Sequence, residues 1–161
     1  MCIERSPIYT NRMYIYVIND LQLGLEKMAA YGRLMLLGDS ITQCSFSVGG
    51  WGSKVADHFQ RRLDVFNRGY SGYTTALIKC ALPQILSFTA PLDAATVMLG
   101  SNDSALKEVN PEQHVPLEAF ESNLRGICEL LLNHGVPREG VLLVSPPPLC
   151  ERVRAEVWRV V

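Results

Sequence analysis

Along this chain, short apolar runs alternate with longer stretches whose apolar residues recur at helical spacing, the pattern of a parallel sheet covered by helices. The runs Arg33 to Leu37, Asp64 to Asn67, Ala95 to Leu99 and Val141 to Ser145 read as four strands, each short, apolar and ended by Gly, Asn or Pro. Between the first two, Trp51, Val55, Phe59 and Leu63 return every fourth residue. A helix laying that face on the sheet is expected there, with Ser53 as its cap. Thr75 to Leu86 predicts a weaker helix interrupted at Pro83. The strongest helix opens at Pro116 and sets Leu117, Phe120, Leu124, Ile127 and Leu131 on one face. It adds a Glu121–Arg125 pair and stops at Gly135 before Pro137. There is no internal repeat, and the class is α/β.

That layout says where chemistry belongs. Right-handed crossovers bring the carboxyl end of every parallel strand to one edge, where open α/β sheets bind their ligands. Three motifs fall at those ends: Gly38-Asp39-Ser40-Ile41-Thr42-Gln43, Asn67-Arg68-Gly69-Tyr70-Ser71-Gly72 and Gly100-Ser101-Asn102-Asp103. They are spaced about one βα unit, roughly thirty residues, apart. A lone Gly-Asp-Ser is an ordinary turn, but independent surface turns have no reason to follow successive strands.

Composition narrows the function. The chain has 161 residues, 15 Lys and Arg against 16 Asp and Glu, and 48% apolar residues, which describes one ordinary domain with one core. Near-neutral charge without a basic stripe gives no footprint for nucleic acid. The apolar run Met13 to Ile18 is too short for a secretory core or a membrane span, so the reading is cytoplasmic. Cys2, Cys44, Cys80, Cys128 and Cys150 are odd in number and scattered, with no Cys-x-x-Cys pair. That argues against a disulfide framework or a zinc site; reduced, mostly buried thiols are expected.

The three motifs together resemble the first three sequence blocks of the SGNH (GDSL) hydrolases. Gly49-Gly50-Trp51-Gly52, Gln113-His114-Val115-Pro116-Leu117 and Pro147-Pro148-Leu149-Cys150-Glu151 are similar to segments of that family's isoamyl acetate-hydrolysing esterase branch. The resemblance runs from about Leu34 to Glu151 and fades over Arg152 to Val161. It implies a three-layer, flavodoxin-like parallel sheet and a serine ester hydrolase needing no metal or cofactor. By the same resemblance Ser40 is the nucleophile, while the Ser40 and Gly72 amides and the Asn102 carboxamide form the oxyanion hole. Those residue types suit the roles. A serine at an abrupt strand-to-helix turn presents its hydroxyl at the sheet edge, glycine lets the backbone approach substrate, and a carboxamide donates without adding charge. Each fixed donor is worth about 3 to 4 kcal/mol in the transition state. Asp39 and Asp103 are expected to brace loops. Gly49 to Gly52 reads as a helix-entry loop around a packed Trp51 rather than a phosphate cradle.

The family's acid and base come from an Asp-x-x-His motif near the C-terminus, and this sequence has none. Three histidines are the substitutes to weigh. His134 closes the longest helix and belongs at the opposite edge. His58 lies about two turns, or roughly 10 Å, along the helix leaving the active edge. His114 is on the correct edge, without an Asp three residues before it. The expectation is a domain over 31–161 lacking its last strand and helix, preceded by an atypical extension over 1–30 with a short helix and a second start at Met28. Loss of a triad's base lowers turnover about a millionfold while the oxyanion hole still gives about 10³ to 10⁴ over water. The chain is therefore expected to be nearly inert, with a bare sheet edge that invites self-association. The alternative is a catalytically silent binding or regulatory form that pairs with the full-length protein through that edge. Small acetate esters are the expected substrates, with a lysophospholipid-type ester the weaker variant.

Overall fold

The computed structural model describes residues 8–10, 13–15 and 31–148. Ile8–Thr10 (β1) pairs antiparallel with Met13–Ile15 (β2). The short helix expected in this region is replaced, at these positions, by a hairpin. Its β-branched and aromatic residues Ile8, Tyr9, Thr10, Tyr14 and Ile15 favour extended backbone.

Among the described residues the main sheet has four parallel strands, Gly32–Gly38 (β3), Leu63–Gly69 (β4), Ala94–Met98 (β5) and Val141–Leu143 (β6), in the order β4-β3-β5-β6. These are the four strands read from the sequence, with β6 ending two residues earlier than Ser145. Four helices connect them: Ser40–Gln43 (α1), Trp51–His58 (α2), Thr75–Ser87 (α3) and Leu117–Asn133 (α4). A 3₁₀ turn, Cys44–Phe46, follows α1, and another, Arg138–Gly140, leads into β6.

Strand alternation sorts the core into two layers. Leu34 and Leu36 of β3, with Ala94 and Met98 of β5, face Trp51 and Val55 of α2. Met35 and Leu37 of β3, with Ala95 and Val97 of β5, face Ile78, Leu82 and Leu86 of α3 and Ile127 and Leu131 of α4. Helices thus cover both faces, making three layers.

Local expectations fail where packing outweighs propensity. Pro83 does not interrupt α3, which runs unbroken to Ser87 with Pro83 exposed. An interior proline costs about 3 kcal/mol, whereas burying Ile78, Leu82 and Leu86 returns about 1.5 to 3 kcal/mol each. Ser53 is not the cap of α2: Gly50 holds that position, and the Ser53 hydroxyl donates back to the Gly50 carbonyl at 2.8 Å. Leu63 opens β4 instead of extending α2, because the helix stops at Phe59 and Arg61 takes a positive φ of 61°. It still packs with Trp51, Val55 and Phe59. On α4, Leu117 is exposed while Ile127 and Leu131 are buried. The Glu121–Arg125 ion pair forms at 2.7 Å. The stop at Gly135 is a Schellman motif: Gly135 has φ of 99°, its N–H donates to Leu132 O, and the Val136 N–H donates to Leu131 O.

Candidate active site

Sheet register brings the three motifs to one level. Gly38, the last residue of β3, pairs with Gly69 of β4 on one side and with Met98 of β5 on the other. The motifs therefore leave the same rim side by side. Successive strands also depart from opposite sides of β3, so the gap between β3 and β5 is the topological switch point where such sheets open a crevice. Ser40 follows the first of these strands and Asn102 the second.

Each motif has a local reason for its shape. Asp39 caps α1, its Oδ1 accepting the Ile41 N–H at 2.9 Å, so that Ser40 is the first helical residue and is partly exposed at the rim. Two glycines allow α1 to sit this close to the sheet. A Cβ on Gly38 would lie 2.1 Å from Thr42 Oγ1, and one on Gly69 would lie 2.0 Å from the Gln43 nitrogen. Trp51 is buried with its Nε1 donating to Ile41 O at 3.3 Å, so the Gly49 to Gly52 loop anchors the base of α1. Gly72 has φ of 79°, a backbone state that favours glycine.

Side chains lace the three loops together. Asn67 donates from Nδ2 to Thr42 O at 2.7 Å and to Gln43 O at 3.1 Å, and accepts the Gly69 N–H at 2.7 Å. Gln43 Oε1 accepts the Ser71 N–H at 2.7 Å. Asn102 Nδ2 donates to Tyr73 O at 2.8 Å, tying the third motif to the second. Asp103 is buried and accepts the Thr75 N–H at the start of α3 at 2.9 Å, together with the Thr75 hydroxyl. Asp39 and Asp103 accordingly both hold helix starts, as loop braces do. Burial pushes the Asp39 carboxyl above its ordinary value, and the neighbouring Asp103 charge adds to the rise. Its Oδ2 is buried with no hydrogen-bond partner among the described residues.

The histidines stand elsewhere. His58 ends α2 and is exposed, five residues before β4 starts at the opposite rim. His134 is the C-cap of α4, beyond which the chain returns to the start of β6. His114 Nδ1 lies 2.8 Å from Ala105 O in a cleft of about 530 Å³. That cleft is lined by Gly100, Asp103, Leu106, Leu117 and Phe120 among others, and backs onto the third motif. No hydrogen bond joins any of the three to Ser40 among the described residues.

Sequence reasoning missed the glutamines. Gln43 was read only as the end of a motif, and Gln113 only as part of a similar segment. Their partners lie 28 and 41 residues away, and nothing in local spacing announces such contacts. The three described thiols are also more open than expected: Cys44 and Cys80 are exposed and Cys128 is half-buried, since each lies off the core-facing stripe of its element, while Cys2 and Cys150 lie outside the described residues.

An open parallel sheet covered by helices on both faces, with its switch point between β3 and β5, defines an α/β domain of the three-layer type. The chain belongs to the GDSL-like lipase/acylhydrolase family, whose model matches residues 36–160 and so continues past Glu151, where the resemblance was expected to fade. It is 50% identical over 138 residues to the isoamyl acetate-hydrolyzing esterase 1 homolog of Rattus norvegicus, covering 80% of this chain and 55% of that protein. The human protein of that description is 48% identical over 131 residues, covering 80% and 53%. The chain thus spans about half the length of these relatives. Among solved structures, a catalytic mutant of the acetylxylan esterase Axe2 from Geobacillus stearothermophilus superposes with a TM-score of 0.57 and 28% identity, over 70% of this chain and 58% of that one. No helix among the described residues is long and apolar enough to cross a membrane.

Proposed function

We propose that this chain carries the acylating part of a carboxylic ester hydrolase site, with Ser40 as nucleophile and Gly72 and Asn102 as oxyanion donors beside the Ser40 amide. What supports the reading is the shared level of the three strand ends, Gly38 opposite both Gly69 and Met98, within the family shown above. In this reading Ser40 Oγ attacks the ester carbonyl carbon, and its proton leaves with the departing alcohol. The carbonyl oxygen carries the negative charge of the tetrahedral intermediate. Helix α1 is pre-set for that charge, because the first N–H groups of a helix have no intrahelical acceptor. Asp39 takes the Ile41 N–H and leaves that of Ser40 to substrate. Asn102 has two N–H bonds; Tyr73 O takes one, and the other is available. Collapse breaks the bond to the alcohol oxygen, which takes up the Ser40 proton and leaves as the alcohol; water then attacks the acyl carbon, releasing the acid and returning a proton to Ser40 Oγ.

Small acetate-like esters are the proposed substrates. Both the rat relative and the Geobacillus neighbour carry names of enzymes acting on acetyl esters. The test is the reaction of the chain with p-nitrophenyl acetate, followed by mapping of acetyl groups. Acetylation of Ser40, absent in Ser40→Ala and slowed about 10² to 10³-fold in Asn102→Ala, is the expected result. Without a histidine bonded to Ser40, the acetyl group is expected to persist long enough to be mapped. Acetylation confined to lysines, unchanged in Ser40→Ala, refutes the proposal.

A further inference from the structure

We infer that Gln113 is a positioning residue that sets the orientation of the Asn102 carboxamide and holds the Gly72 turn; the inference rests on the oxyanion reading of those two groups. Gln113 lies near the end of the long loop between β5 and α4, outside all three motifs. Its Nε2 donates to Gly72 O at 3.0 Å and faces Asn102 Oδ1 at 3.5 Å. Its own oxygen accepts the Asn110 Nδ2 hydrogen at 2.8 Å. One amide group thereby touches both proposed oxyanion elements.

Donor and acceptor counting makes the arrangement directional. Gly72 O is a carbonyl and can only accept, so Gln113 must turn its nitrogen toward the rim, which leaves its oxygen to accept from Asn110. That nitrogen favours an oxygen opposite it, so Asn102 turns Oδ1 to Gln113 and Nδ2 to the Tyr73 carbonyl. A flipped Asn102 would set nitrogen against nitrogen at Gln113 and oxygen against oxygen at Tyr73. The two fixed carbonyls, Gly72 O on Gln113 and Tyr73 O on Asn102, therefore keep an N–H at the rim, where an oxyanion needs a donor and would be repelled by the carboxamide oxygen. The bond to Gly72 O restrains the same glycine whose φ is positive. Gln43 holds the preceding residue from the other side through the Ser71 N–H, so the turn is clamped between two glutamines.

Gln113→Glu tests this directly, because it keeps the shape and replaces the donor with a second acceptor. Against Gly72 O and Asn102 Oδ1 a carboxylate is repulsive, and Asn102 is driven to flip. The maximal rate of Ser40 acetylation by p-nitrophenyl acetate should fall by about 10²-fold, approaching the loss of one oxyanion donor. The half-saturating ester concentration should stay within about twofold, since ground-state binding is not the function affected. In an Asn102→Ala background the same change should cost only about tenfold, because no carboxamide remains to be misoriented and the hold on the Gly72 turn is all that is lost. Gln113→Ala, which introduces no charge, should lose about tenfold with the same non-additivity, and it carries the test if the glutamate variant does not fold. Wild-type acetylation rates in the folded variants, or equal losses in both backgrounds, overturn the assignment. Failure of Ser40→Ala to abolish acetylation would instead overturn the site itself, so the two failures are distinct.

Discussion

Gly69→Ala should damage both the fold and the site, through one contact. The added Cβ would lie 2.0 Å from the Gln43 nitrogen, 2.5 Å from the Gln43 Cα and 2.6 Å from the Thr42 carbonyl carbon. All three are backbone atoms of α1 and cannot swing aside, so the helix must retreat from β4 by more than an ångström. Gly69 does not have a positive φ, so the penalty is steric alone. Overpacking of this kind costs about 1 to 3 kcal/mol. Retreat of α1 also stretches the Asn67 bonds to Thr42 O and Gln43 O, at about 1 kcal/mol each. A total of about 3 to 5 kcal/mol should lower the melting temperature by roughly 6 to 20 °C for a chain of this size. Ser40 begins the displaced helix, and misplacement of a reacting group by about 1 Å costs about 10²-fold in rate. Thermal melting and the rate of Ser40 acetylation measure the two effects on one sample. Gly49→Ala separates backbone strain from collision: with a positive φ of 76° but nothing within 4 Å, it should cost about 1 to 2 kcal/mol and leave the acetylation rate unchanged. A Gly69→Ala protein that melts within 2 °C of the parent and is acetylated at the parent rate would refute the packing argument.

Further outcomes follow from the same contacts. Asp103→Ala strands the Thr75 N–H and hydroxyl in the interior and should cost roughly 2 to 5 kcal/mol in urea unfolding, most of which Asp103→Asn should restore by keeping one acceptor. The raised Asp39 carboxyl binds its proton more tightly folded than unfolded, so its charged form opposes folding as pH climbs past the ordinary carboxylate value. Asp39→Asn keeps an acceptor for the Ile41 N–H; its stability relative to the parent should improve between pH 4 and pH 7, and parallel stability profiles would contradict this. Burial pushes the Cys128 thiol up, so iodoacetamide at pH 8 should modify exposed Cys44 and Cys80 before Cys128, read by peptide mass mapping. Leu131→Ala, at a fully buried site between α4 and the sheet, should destabilise by about 2 to 5 kcal/mol.

What the sequence determined by itself is whatever depends on near neighbours. Runs such as Leu34 to Leu37 can bury both faces only as an inner strand, and the Gly135 stop needs only a residue tolerant of positive φ; both are written within a few positions. The three motifs were legible for the same reason, each being the short segment that leaves a strand. Tertiary structure decided the rest. Register between β3, β4 and β5 placed Ser40, Gly72 and Asn102 on one rim, and burial of Leu82 and Leu86 overruled the break proposed at Pro83. Phe59 and Arg61 ended α2 before Leu63, although period four continued through it. Gln113 is the clearest case: a carboxamide finds its partners only after the loop closes on a turn 41 residues away. Hydrogen bonds are short-ranged and directional, so a linear pattern carries no trace of one that the folded chain makes across such a distance.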